Sequence, residues 1–162
     1  MLMRSIGLLF VFMSQAVSAI EIGAAPPELQ AKLSNGNHAL LSAHRGKLIY
    51  LDFWASWCGP CRQSFPWMNA LHEKYGSKGL EIIAINLDAK ESDARQFLAE
   101  HPAKFVIAFD PAGATPRQYD VKGMPTSYLI DREGRLLAIH TGFNEKTKKS
   151  LESTIQKLMG EN

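Results

Sequence analysis

The sequence predicts an α/β fold: a mixed central β-sheet flanked by helices. Three observations predict it. Two nearly continuous apolar runs, Lys47 to Ala55 and Leu80 to Leu87, are each followed by a segment of helical period, the pattern of strands covered on both faces by crossover helices. A strand pair around Asp131-Arg132-Glu133-Gly134 follows late in the chain, and a last amphipathic helix closes it. The 162 residues amount to one domain at about 100–200 residues per domain.

Taken in order, residues 29–41 read as a hairpin of two short strands around Asn35-Gly36, a strong turn signal. Lys-Leu-Ile-Tyr-Leu-Asp-Phe-Trp-Ala at 47–55 is the first central strand. From Gly59 to Tyr75, Phe65, Met68, His72 and Tyr75 recur at three- and four-residue intervals, with Trp67 and Leu71 beside them. That is a helix with one apolar face, in which Pro66 predicts a kink rather than an end. Gly76-Ser77-Lys78-Gly79 breaks it. Leu80 to Leu87 is the second buried strand, and Glu91 to Glu100 is a short helix stopped before Pro102. Phe105 to Phe109 is a third strand, closed by Asp110-Pro111-Ala112-Gly113, with a helical turn over 114–119. Thr126 to Ile130 and Arg135 to Thr141 pair antiparallel. Asn144 caps a final helix whose stripe is Leu151, Ile155, Leu158 and Met159.

The N-terminus carries a separate signal. Arg4, the apolar run Ile6 to Met13 and the small residues Val17-Ser18-Ala19 follow the order of a secretory signal peptide. Residues 1–19 are therefore expected to be cleaved, leaving 20–162 as the domain and an exported, periplasmic protein. Eight apolar residues fall short of the roughly 20 that span a bilayer; an uncleaved signal acting as a tether is the alternative.

Composition excludes several functions. Lys plus Arg is 18 against 16 for Asp plus Glu, too even for the basic stripe of a nucleic-acid-binding domain or for a polybasic membrane surface. The only cysteines are Cys58 and Cys61. One CxxC cannot supply a four-cysteine zinc site, and His38, His44, His72, His101 and His140 show no ligand spacing. No metal and no bound cofactor are expected. What remains for the two sulfurs is mostly redox chemistry.

That chemistry needs two thiols close enough to bond, one of them easily ionised. With the helix starting near Gly59, Cys58 lies at its N-terminus, where unpaired N–H groups and the helix dipole favour the thiolate. Cys61, one turn further, extends the apolar stripe inward. Cys58 is expected to be the exposed attacking sulfur and Cys61 the buried one that resolves the mixed disulfide. Pro60 is tolerated in the first turn because its missing N–H costs little there. Asp52 is the only residue between Leu48 and Ala55 whose side chain is ordinarily charged at neutral pH. On a central strand it is expected to be buried, with its carboxyl raised, and to accept the proton of Cys61.

At Phe53-Trp54-Ala55-Ser56-Trp57-Cys58-Gly59-Pro60-Cys61 the sequence resembles the active-site segment of the thioredoxin family. Gly123-Met124-Pro125-Thr126 resembles that family's second landmark, a cis-proline loop facing the cysteines. The additional length at about 88–110 resembles the helix–strand insertion of the exported TlpA/ResA-like thiol–disulfide oxidoreductases, the redoxin branch. Lys78-Gly79-Leu80 and Leu129-Ile130-Asp131-Arg132-Glu133-Gly134 follow the same branch. The resemblance implies a thioredoxin fold with an N-terminal β-hairpin and a central helix–strand insertion. It implies catalysis by Cys58, Cys61 and Asp52, with Trp57, Gly59, Pro60, Met124 and Pro125 contacting the substrate. By residues alone Pro125 also fits the start of an edge strand, and cis is rare, at about 5–6 % of X–Pro bonds; the resemblance implies cis, with the backbone around Met124 offered to the substrate.

Two positions depart from the branch. Ser64 stands where members that serve cytochrome c assembly often carry a carboxylate, and Asp52 stands where the branch often has Asn. Gly-Pro between the cysteines resembles the reducing members. The expected function is disulfide reduction on exported proteins, apocytochrome c or copper-site proteins among them, by a monomer re-reduced by a membrane donor of the DsbD or CcdA kind. The rivals are a dithiol oxidase or isomerase and a copper-handling thiol carrier. A peroxidase fits poorly, since its Thr-x-x-Cys site is here Ala55-Ser56-Trp57-Cys58.

Overall fold

A computed structural model describes residues 20–161; the expected signal peptide at 1–19 lies outside them. The sheet has six strands: β1 Lys32–Leu33, β2 Leu48–Trp54, β3 Leu80–Asn86, β4 Val106–Phe109, β5 Thr126–Ile130 and β6 Leu136–Thr141. Four α-helices accompany it: α1 Gly59–Tyr75, α2 Glu91–Glu100, α3 Ala114–Gln118 and α4 Glu145–Leu158. The strand order is β1-β4-β3-β2-β5-β6. β2, β3 and β4 run parallel, and β1, β5 and β6 pair antiparallel to their neighbours. The parallel pairs need crossover connections, which α1 and α2 supply.

Every residue of β2 is buried, as its continuous apolar run predicts. Tyr50 and Trp54 join a core formed with α1, α2 and α4, including Phe65, Met68, Phe97 and Ile155. Ile49, Leu51 and Phe53 face the other way, against Leu29, Tyr119 and Tyr128. Each such side chain contributes roughly 1.5–3 kcal/mol when fully buried. α1 runs unbroken through Pro66, which is exposed. Its apolar face forms as the periodicity predicts, except that His72 is only partly buried. α4 starts at Asn144, whose side chain accepts hydrogen bonds from the N–H groups of Lys146 at 2.9 Å and Thr147 at 3.0 Å.

The N-terminal hairpin is shorter than expected. Lys32 makes one bridge to His38 across the Asn35-Gly36 turn, and Leu41–His44 is a 3₁₀ turn instead of strand. Lys32–Leu33 pairs with Ala108 and Phe109. β1 borders β4 on one side, while on the other Leu33 N–H donates to the Asn37 carbonyl at 2.8 Å and Ala39 N–H to the Ala31 carbonyl at 3.0 Å. Glu28 takes the N–H groups of Leu41 and Ser42 at 2.8 and 2.9 Å, which ends extended pairing there.

Candidate active site

β2 delivers the chain to the site at its C-terminal end, where ligands of parallel sheets usually bind. Leu87 N–H donates to the Trp54 carbonyl at 2.9 Å, and Cys58 N–H to that of Ala55 at 3.1 Å. Cys58 is the N-cap of α1, extended at φ −82° and ψ 106°, with Pro60 in the first turn. Its Sγ accepts the N–H of Cys61 at 3.2 Å. The two cysteines form a disulfide, with Cα atoms 5.3 Å apart.

Both sulfurs belong to the core on the α1 side of the sheet. Cys61 is fully buried, as the stripe predicts. Cys58 is only 5 % exposed, so the expectation of an exposed sulfur is corrected. The N-cap position tucks it against the first turn and its disulfide partner. Exposure belongs to the surroundings: Trp57 is 71 % exposed, and Gly59 and Pro60 are exposed. Ser64 is buried and donates its hydroxyl to the Cys61 carbonyl at 2.9 Å.

Asp52 shares its face of β2 with Tyr50 and Trp54, since alternate residues of a strand face the same way; that face is the one covered by α1. It is 1 % exposed, and its Oδ2 has no partner among the described residues. Burial holds its carboxyl well above the ordinary range. Burial likewise raises the Tyr50 phenol, with the Asp52 charge adding to it and a Ser127 hydrogen bond opposing it.

The Met124–Pro125 peptide is cis. Pro125 is buried, its carbonyl accepts the Gly142 N–H at 2.7 Å, and Met124 packs against the core that holds both cysteines. Among the described residues no backbone hydrogen bond ties down Met124.

Sequence reasoning missed one part of the site. Asp88 is 3 % exposed. Its carboxylate accepts Ser56 N–H and hydroxyl, both at 2.9 Å, and the Asn86 amide at 2.7 Å. This bracket ties the end of β3 to the loop carrying Cys58. The short polar run Asn86-x-Asp88 after an apolar strand was the available signal. Among the described residues, no group of three or more His, Cys, Asp or Glu is placed to hold a metal ion.

Residues 21–155 match the family model described as Redoxin. The chain belongs to the redoxin family. The thiol-disulfide oxidoreductase ResA of Bacillus thuringiensis subsp. konkukian is 36 % identical over 139 residues, 86 % of this chain and 79 % of that protein. ResA of Bacillus subtilis is 32 % identical over 124 residues, 76 % of this chain and 69 % of that one. A crystal structure from Chlorobium tepidum, assigned as a thiol:disulfide interchange protein DsbE, is 52 % identical with a TM-score of 0.83. It matches 87 % of this chain and 99 % of its own. This redoxin is a TlpA/ResA-like member of the thioredoxin superfamily, and the dithiol of Cys58 and Cys61 makes it a protein-disulfide oxidoreductase.

Proposed function

We propose that this redoxin is an exported disulfide reductase. The observation that carries the reading is the asymmetry of the two sulfurs: Cys58 caps α1 and accepts a helix N–H, while Cys61 has no exposure at all. The Cys58 thiolate, favoured by the helix N-terminus, attacks one sulfur of a substrate disulfide. A Cys58–substrate disulfide forms and the other substrate sulfur leaves as a thiolate. Asp52 takes the Cys61 proton, Cys61 attacks Cys58, and the Cys58–Cys61 disulfide forms as the second substrate sulfur leaves. Two electrons pass from the dithiol to the substrate. Trp57, Gly59 and Pro60 provide the exposed surface around Cys58, and the Met124 backbone offers an N–H and a carbonyl to an extended substrate.

Residues 1–19 act as the export signal in this reading, and the substrates are disulfides of exported proteins, apocytochrome c or copper-site proteins among them. An oxidising compartment requires a membrane thiol donor of the DsbD or CcdA kind to return the electrons. Gly-Pro between the cysteines supports the reducing direction.

The test is the equilibrium reduction potential, with turnover of a protein disulfide under dithiothreitol. A reductase lies toward the thioredoxin end of the scale, about −270 mV; a value near −120 mV, that of a strong oxidant, reverses the direction.

A further inference from the structure

Cys61 and Asp52 are both sealed from solvent, at 0 % and 1 % exposure. A proton accepted by Asp52 therefore needs a way out. Four buried side-chain polar atoms have no hydrogen-bond partner among the described residues: Asp52 Oδ2, Trp54 Nε1, His72 Nδ1 and His140 Nδ1. Unpaired buried polar groups are rare and call for an explanation.

Two of the four stand in one row of the sheet. Asp52 on β2 lies directly opposite Ser127 on β5, and Ser127 lies directly opposite His140 on β6. Residues directly opposite in antiparallel strands project to the same face, with Cβ atoms about 4.5–5.5 Å apart. The neighbouring row fixes which face that is. Tyr50, Leu129 and Ala138 are opposite one another two residues away on the same strands, and all three belong to or pack against the core beneath α1 and α4. Ser127 is 4 % exposed. His140 is half-buried on β6, the edge strand of the sheet. The row thus leads from the sealed carboxyl to the margin of the molecule.

We propose that Ser127 and His140 relay to solvent the proton that Asp52 takes from Cys61. This rests on the role of Asp52 proposed above. The Asp52 carboxylic acid gives its proton to the Ser127 oxygen as the Ser127 hydroxyl proton passes to His140 Nδ1. The imidazolium releases a proton to water at the sheet edge, and exchange there restores the starting tautomer. Asp52 is again a carboxylate, and one proton has crossed the row. Asp52 Oδ2 and His140 Nδ1 make no direct hydrogen bond to Ser127, so each transfer in this relay passes through a bridging water that these polar groups would hold.

Burial supports the hand-over. It raises the pKa of Asp52 and lowers that of His140, so donor and acceptor approach one another. The other titratable group on this face of β2 is Tyr50, whose raised phenol stays neutral. α1 turns Cys61 and Tyr75 inward as titratable groups, and its half-buried His72 keeps Nδ1 covered. α4 buries Leu151 and Ile155, while its Glu145, Lys148 and Glu152 line a groove with Trp67 and Phe143.

The experiment follows single turnovers of the reduced protein with a fluorogenic disulfide peptide, mixed-disulfide formation giving the first phase and resolution the second. Ser127→Ala and His140→Ala each lower the ratio of second- to first-phase rates about tenfold near neutral pH, below the 10²–10⁴ of a direct acid–base group. Imidazole in solution restores the ratio in His140→Ala. His140→Gln, which keeps a polar side chain of similar size but carries no proton, stays slow. Neither change slows Asp52→Asn further. Wild-type ratios in Ser127→Ala and His140→Ala beside a slow Asp52→Asn overturn the relay and leave the Asp52 role standing. A fast Asp52→Asn overturns both. A His140→Gln as fast as wild type, or a His140→Ala deaf to imidazole, assigns His140 to packing and overturns the relay.

Discussion

Replacing Asp52 with Asn should stabilise the oxidised protein at neutral pH, with a pH dependence that the buried carboxyl dictates. Asp52 is 1 % exposed, has an oxygen without a partner, and has its carboxyl raised by burial. In the unfolded chain the same group ionises near pH 3.9. Below that pH both states hold the proton and Asp52 adds no pH dependence. Above it, the unfolded state has released a proton that the native state still holds. Stability then falls as pH rises, by at most about 1.4 kcal/mol per pH unit for one proton. The fall ends once pH passes the native value. Asparagine cannot ionise, so the stability of Asp52→Asn minus that of wild type should climb from about pH 4 with that limiting slope. It should then level off, and the bend reads out the native pKa. Carboxylates common to both proteins cancel in the difference. The assay is urea unfolding followed by tryptophan fluorescence at half-unit pH steps, with equal m-values confirming a shared unfolding reaction. A difference that stays flat from pH 4 to 8 would falsify the argument, since it means Asp52 ionises alike in both states.

Brief alkylation of the reduced protein below pH 8, read by peptide mapping, should label Cys58 ahead of Cys61, because Cys58 caps α1 and Cys61 is sealed; preferential labelling of Cys61 reverses their roles. Asn144→Ala removes the side chain that accepts the Lys146 and Thr147 N–H groups. It should cost about 1 kcal/mol in denaturant unfolding, and an unchanged midpoint means the cap contributes nothing. The exported protein should have an intact mass beginning at Ile20; a mass that includes residues 1–19 refutes cleavage.

Much of the fold was legible because its signals are local. The apolar run at 48–54 forms a strand buried on both faces, and the periodicity at 59–75 forms α1. Asn144 caps α4 as its side-chain chemistry predicts. The CxxC at a helix start likewise carries its own geometry, since three residues make one turn. The burial of Asp52 followed from the run around it. These features depend on neighbours within a turn or a strand of the residue concerned.

Tertiary structure decided what depends on distant partners. The second arm of the N-terminal hairpin stops short because Glu28 holds the Leu41 and Ser42 N–H groups at a 3₁₀ turn, while β1 docks on β4, more than seventy residues away. Cys58 is covered rather than exposed because the core beneath α1 closes around the disulfide. Asp88 reaches Ser56 only because β3 ends beside the loop after β2. The row of Asp52, Ser127 and His140 exists only through strand register. A slip of one residue would turn a strand's side chains to the opposite face, and no local pattern in the sequence encodes which residues of β2, β5 and β6 stand opposite one another.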